Sequence, residues 1–218
     1  MAPGRNEALA LQVENLEKVL ENLGTAHDRK FDEEEKYISV NIMEDENTKF
    51  EPAHERLGVL LGFSAGKVES SGSPDPWWIF HDRLCLVFED HSDGKSESSM
   101  HVTKARQAAS HPNWIRENVP SLAKDADIFP VLITPVTVAD KDAMPHLKNV
   151  YVWPLAEFRV WAKNALQVIR ELRRIFPGSG DLAWRATAAD RLQAAQLDAN
   201  SITGIVVLHP AEKVFKIK

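Results

Sequence analysis

Residues 72–94 read GSPDPWWIFHDRLCLVFEDHSDG. Pro74-Asp75 precedes a tryptophan pair, two apolar segments at 77–80 and 84–88 flank His81-Asp82-Arg83, and the second segment ends in Glu89, Asp90 and His91. Short aromatic and aliphatic runs joined by a few polar residues predict an antiparallel hairpin. With one acid before its first strand and another at the end of its second, such a hairpin brings Asp75 and Glu89 to the same edge. An apolar strand that ends in groups able to bind protons and metals therefore sets the question for the rest of the chain.

Upstream, Phe50, Ala53, Leu57, Leu60 and Leu61 recur at helical spacing and Gly62 follows as a stop, which predicts a helix over 50–62 with Glu51 and Glu55 on its other edge. The Gly- and Ser-rich residues after it read as a loop. Downstream, residues 98–118 have helical texture, 127–138 (DIFPVLITPVTV) read as a strand rich in β-branched residues, and 149–154 (NVYVWP) as a shorter one. The order helix, strand, strand, helix, strand predicts an α/β fold, a mixed sheet flanked by helices.

Both ends carry further helices. In residues 7–23, Leu9, Val13, Leu16, Leu20 and Leu23 form a heptad seam of about two repeats, with Gly24 beyond it; the seam fits packing on the body or pairing with a second helix, including that of another copy. Residues 28–50 are mostly charged and read as a linker, with one apolar patch at 37–43 that suits an edge strand. From Trp161 to Phe176 the apolar residues share one helix face, while Arg159, Lys163, Arg170, Arg173 and Arg174 fall on roughly the opposite one. A helix at 187–198 and a strand at 203–208 complete the reading. The expected division is a helical arm and linker at 1–47, a core at 48–153 and a basic C-terminal extension at 154–218.

The chain has 218 residues, 44% of them hydrophobic, enough to fill a core. Its apolar runs fall short of the roughly eighteen residues of a bilayer span, and no basic and apolar signal segment follows Met1. The expectation is a soluble, cytoplasmic protein with no membrane partner. One cysteine, Cys85, rules out an internal disulfide and a cysteine-based zinc site, and the eight histidines show no zinc-ligand spacing. A formal net charge of -6 and a pI near 5.8 argue against gripping nucleic acid through bulk positive charge. A local basic stripe is still able to do so.

Three short motifs are weak. Gly62–Gly66 matches G-x-S-x-G, but a nucleophile elbow built on Ser64 must follow a strand, and this one follows a helix. As a phosphate loop, the spacing to Gly66-Lys67 is one short and Val68 stands where Ser or Thr should hold the metal. The acids from Asp90 onward lack the ligand spacing of a calcium loop.

Four pieces in order carry a resemblance: FEPAHERLGVLLGF (50–63), PDPWW (74–78), LCLVFEDH (84–91) and QAASHPNW (107–114). Together they resemble the PD-(D/E)XK superfamily of nucleases, with its restriction-endonuclease-like fold, and within it a helicase- and defence-associated type. The resemblance implies a metal-dependent endonuclease, DNA as favoured substrate, magnesium (or manganese) as cofactor, and a helicase or other defence-system subunit as partner. It implies that Asp75 and Glu89 hold the metal, that the Asp90 carbonyl is a further ligand, and that Glu51 completes the site, with Glu55 next in line. Gln107 is drawn towards the site by the same pattern, and the basic stripe becomes a phosphate contact. The pattern's lysine is replaced by His91, which would be only partly protonated near neutral pH; Lys95 and Lys104 are close enough in sequence to substitute for it.

Each residue also has a plainer reading. Asp75 after proline is a good turn residue. Glu89 and Asp90 suit a charged sheet edge. Gln107 and His111 suit a solvated or hydrogen-bonded pair, Trp77 and Trp78 one core and one surface aromatic, and the stripe a solvated face. The whole chain also fits a catalytically degenerate nuclease fold that binds nucleic acid or assembles with partners.

Overall fold

A computed structural model describes residues 5–68 and 72–218. In chain order it has α1 (Arg5–Leu23), α2 (Arg29–Asn41), α3 (Asn47–Leu60), β1 (Ser64–Gly66), β2 (Trp77–His81), β3 (Leu84–Asp90), β4 (Ser99–Met100) and α4 (Val102–Asn118). Then follow β5 (Asp127–Thr134), β6 (Val138–Ala139), a 3-10 turn (Met144–His146), β7 (Tyr151–Pro154), α5 (Leu155–Arg174), α6 (Leu182–Ala194), α7 (Ala199–Val207), α8 (Ala211–Val214) and β8 (Lys216–Ile217).

The main sheet has the order β1-β2-β3-β5-β7. Strands β1, β2 and β3 are antiparallel neighbours, whereas β3, β5 and β7 run parallel. Strands β4, β6 and β8 form a smaller parallel sheet. This is the mixed sheet flanked by helices that the sequence order predicts. Strand β3 lies at its centre, and alternation along it feeds two layers. Leu86 and Phe88 join the large core with residues of α1, α2, α3 and α5, while Cys85 and Val87 pack with Ile79 of β2 and Ile115 of α4. Trp78 is fully buried in the large core and Trp77 is half-buried against Trp114 at 5.6 Å.

The seam of α1 packs onto the body: Leu16 and Leu20 are fully buried, and Gln12 Nε2 donates to the carbonyls of Leu61 (3.0 Å) and Leu197 (2.9 Å). Gly62 closes α3 at φ 86°, and a Cβ there would stand 2.3 Å from the Gln12 carbonyl oxygen. The large core draws side chains from all three segments of the expected division.

Four local expectations are corrected. Residues 37–43 are not an edge strand but lie in and just beyond helix α2, because Phe31, Ile38 and Ile42 are buried at helical spacing while the acids face outwards. Residues 203–208 are not a strand but fall in helix α7 and its C-cap. The Asp198 carboxylate caps the N-terminus, accepting from Asn200 N (3.1 Å) and Ser201 N (3.2 Å), and Ile202 and Val206, one turn apart, are buried. Ser64–Gly66, expected in a loop, is edge strand β1. The helix expected at 187–198 begins earlier, at Leu182, where Asp181 accepts from Trp184 N at 2.7 Å.

Glycines provide a test of this packing. A Cβ on Gly58 in α3 would lie 2.2 Å from Trp78 Nε1, whereas one on Gly204 in α7 would meet nothing within 4 Å. Gly58→Val should cost about 3 kcal/mol by overpacking, and Gly204→Ala should gain up to about 1 kcal/mol of helix propensity. At roughly 2–4 °C per kcal/mol, thermal unfolding followed by circular dichroism should show the first lowering Tm by about 6–12 °C and the second raising it slightly.

Candidate active site

The register of β2 on β3 pairs Trp77 with Val87, and one further step of two residues sets Asp75 opposite Glu89. Pro76 O accepts from Phe88 N at 3.0 Å and the Asp75 carboxylate from Asp90 N at 2.6 Å, so the acid after Pro74 extends the edge of the hairpin. Glu89 and Asp90, as successive strand residues, then take opposite faces.

Glu89 turns to α4. Its Oε1 accepts from Lys104 Nζ, and its Oε2 accepts from His111 Nε2 at 2.6 Å. Burial would raise its pKa, but the His111 hydrogen bond and the Lys104 charge outweigh burial and hold it below the usual range. Glu89 is thus a carboxylate although only 3% exposed. Lys104 is half-buried; burial alone would lower its pKa, but the charge of Glu89 raises it.

Asp90 turns to α3. His54 Nδ1 lies 2.9 Å from its Oδ2 and 3.1 Å from its Oδ1, and both side chains are wholly buried. Burial pushes Asp90 well up, with Glu51 and Glu89 adding to it, and burial takes His54 down to about 3. Both shifts favour an uncharged pair, with the Asp90 carboxyl donating to Nδ1. His54 Nε2 has no hydrogen-bond partner, and the rings of Phe88, Phe158 and Trp78 stand around it with centroids at 4.4, 4.8 and 4.9 Å.

Glu51 and Glu55 project from α3. Glu51 Oε2 pairs with Lys67 Nζ at 3.1 Å, with both side chains largely covered. The charge of Glu51 acts on both Asp75 and Asp90. Glu55 is raised by burial. Asp75 is raised as well: burial, then its acidic neighbours Asp90, Glu89 and Glu51, push it from 3.8 to about 9. Among the described residues no cation pairs with it.

His91 stands to one side of these acids. Its N–H donates to Ile133 O (2.9 Å), its Nδ1 lies 3.1 Å from Thr134 Oγ1, and Gly94 closes over the ring, where a Cβ would come within 2.8 Å of it. Burial first, and the Lys104 charge second, lower its pKa, so it is a neutral imidazole and not a cation in place of lysine. The cation at Glu89 is Lys104, whereas Lys95 is exposed.

The remaining expected contacts lie apart from this cluster. Gln107 is exposed on α4. Arg159 donates to the Ile42 and Glu44 carbonyls (3.0 and 2.7 Å) and pairs with Asp45. Arg170 pairs with Asp32 and Glu35 over the Phe31 ring, and Arg173, 5% exposed, holds Gly24 O (2.6 Å) and Asp28. These three fasten α5 to α2 and its flanking turns; Lys163 and Arg174 are exposed. With Ile42, Met43 and Leu166, Arg159, Lys163 and Arg170 line a groove of about 510 Å³ between α2 and α5. The residues missed in sequence are Lys67 and His54; His111, expected as a solvated or hydrogen-bonded pair with Gln107, is buried and hydrogen-bonded to Glu89 instead. Helical spacing signalled part of this, because His54 is three residues after Glu51 and His111 seven after Lys104.

Among the described residues, no group of three or more His, Cys, Asp or Glu side chains is arranged to hold a metal ion. The donor types present are those a hard divalent cation takes, carboxylate and carbonyl oxygens, beside an Asp75 raised by burial first and by its acidic neighbours second. The residues expected to hold it are Glu51, Asp75, Glu89 and the Asp90 carbonyl; Glu51 is paired with Lys67, and both oxygens of Glu89 are taken by Lys104 and His111. Searches against known proteins found no matching family model, no matching curated protein and no matching solved structure.

The raised Asp75 has a measurable consequence. The folded chain keeps a proton there that the unfolded chain gives up, so stability is lost as pH rises from 3.8 to about 9. Asp75→Asn removes that slope, while its amide oxygen still accepts from Asp90 N. The unfolding free energy of the variant should therefore rise relative to wild type as pH increases, by at most about 1.4 kcal/mol per pH unit, and its Tm with it. Parallel Tm-against-pH curves between pH 5 and 9 would show that Asp75 is not raised.

Proposed function

We propose that this chain is a metal-dependent nuclease that hydrolyses phosphodiester bonds, with DNA as the favoured substrate. One observation carries the reading: the Asp75 carboxyl, held at 2.6 Å by Asp90 N, is buried beside Glu89, Asp90 and Glu51 with no cation paired to it among the described residues. A divalent cation would relieve that repulsion. The restriction-endonuclease-like arrangement is part of the same proposal; the mixed sheet with its central hairpin and the helix carrying Glu51 is compatible with it.

In this reading Asp75, Glu51, the Asp90 carbonyl and Glu89 hold magnesium or manganese, which supplies a nucleophilic hydroxide near neutral pH and offsets charge on the phosphoryl oxygens. Lys104 takes the role of the pattern's lysine, since its ammonium already stands at Glu89 and keeps its charge where His91 does not. His111 orients Glu89 from the other oxygen. Substrate is brought by a partner, such as a helicase or other defence-system subunit, because Arg159, Arg170 and Arg173 are engaged within the chain and the net charge is -6.

A second reading, a nuclease fold kept for binding or assembly, is favoured by a different observation: both oxygens of Glu89 are occupied, by Lys104 and His111. Cleavage of plasmid and single-stranded DNA with magnesium or manganese separates the two. Wild type should cleave, Asp75→Ala and Glu89→Ala should lose at least about a hundredfold, and Lys104→Ala should lose more than His91→Ala. Activity that survives both carboxylate substitutions rejects this site; binding without cleavage in either metal selects the second reading.

A further inference from the structure

We propose that His54 is a positioning residue of this site: through its hydrogen bond to the Asp90 carboxyl it fixes the main chain that holds Asp75. The inference rests on the nuclease reading and adds a residue to it.

The chain of contacts is short. His54 Nδ1 meets the Asp90 carboxyl at 2.9 and 3.1 Å, and Asp90 N donates to Asp75 Oδ2 at 2.6 Å. On the far side His91 N donates to Ile133 O at 2.9 Å, which pins the end of β3 to β5. The residue whose N–H orients Asp75 is thus held by its side chain at His54 and by the main chain that follows it at β5. His54 also sits three residues after Glu51 on α3, so the same bond ties the helix that carries Glu51 to the strand that carries Glu89 and Asp90.

Core packing alone does not account for this pair. His54 lies among Phe50, Trp78, Phe88 and Phe158, an environment suited to an aromatic or aliphatic side chain. A fully buried imidazole with Nε2 unsatisfied, set against a fully buried acid, is a costly way to fill that space. What it adds is a fixed orientation for Asp90, the supporting contact that a preformed site requires.

The test uses the full chain and manganese as probe. Mn2+ affinity by titration calorimetry and DNA-cleavage kinetics are compared for wild type, Asp75→Asn, His54→Leu, His54→Gln and His54→Asn. Asparagine places an amide near the Nδ1 position, whereas glutamine keeps a polar group of similar size but extends it past that position. Loss of a supporting contact to a metal ligand typically costs about 10–100-fold. His54→Leu and His54→Gln should therefore lose that much in Mn2+ affinity and in kcat with KM for DNA little changed, and His54→Asn should recover most of both. Wild-type affinity and kcat in folded His54→Gln or His54→Leu overturn the proposal, as does a His54→Asn that recovers nothing. If the leucine and glutamine variants do not fold, wild type decides: Mn2+-matched additions of Mg2+ should move the 15N resonances of the His54 ring, and no movement overturns it. Asp75→Asn separates the two levels. If it binds and cleaves as wild type, the nuclease reading falls; if it is inactive while the His54 variants behave as wild type, only the role of His54 falls.

Discussion

Strand β3 is buried on both faces, and every feature of the candidate site follows from ending such a strand in two consecutive acids. Successive side chains of a strand point to opposite sides, so Glu89 and Asp90 cannot share a partner or both turn to water. A buried charge is tolerated only with a partner and hydrogen bonds. Helix α4 answers Glu89 with Lys104 and His111, and helix α3 answers Asp90 with His54. Glu89 therefore stays ionised while Asp90 is pushed towards its neutral form, two acids one residue apart in opposite states. Asp75 joins them across the hairpin, where its hydrogen bond comes from a main-chain N–H and its acidic neighbours add to the rise that burial causes.

The helical layers explain why a chain with a basic stripe presents little of it. On α5 the arginines at 159, 170 and 173 reach acids and carbonyls of the turns around α2, while α2 itself carries Asp32 and Glu35 for Arg170. Ion pairs half open to solvent add little stability one by one. Arg173 is different, because it is almost wholly buried and closes the turn at Gly24. The acidic segment that reads as a linker and the basic helix far along the chain are thus the two sides of one interface. The stripe is in large part internal to the protein.

Much of the sheet was legible from residues 72–94 and their neighbours. Short unbroken apolar runs, the polar residues that join them and the β-branched stretch from Asp127 gave β2, β3 and β5, and the acids at the hairpin edge were visible as such. Helix α2 was less so, because three buried residues among many charges leave a weak helical signal until α5 and α3 are there to cover them. Helix α7 misled for the opposite reason: Ile202, Ile205, Val206 and Val207 have strand-forming side chains, but a capping Asp198 and burial at one-turn spacing overrode that preference.

The sequence by itself determined that Asp75 and Glu89 meet at one sheet edge, because hairpin register is a local property of two adjacent strands and the residues that join them. It also supplied Glu51 on the preceding helix, whose charge reaches Asp75 and Asp90. Only the tertiary structure decided which groups answer those acids. Lys104 and His111 are 15 and 22 residues from Glu89, His54 is 36 from Asp90, and each meets its partner because a helix face is pressed onto one side of β3. That pressing is set by the apolar layers beneath the helices, not by the spacing of the charged residues, which is why the cation that meets Glu89 is Lys104 of α4 and not His91, next to the acids in sequence.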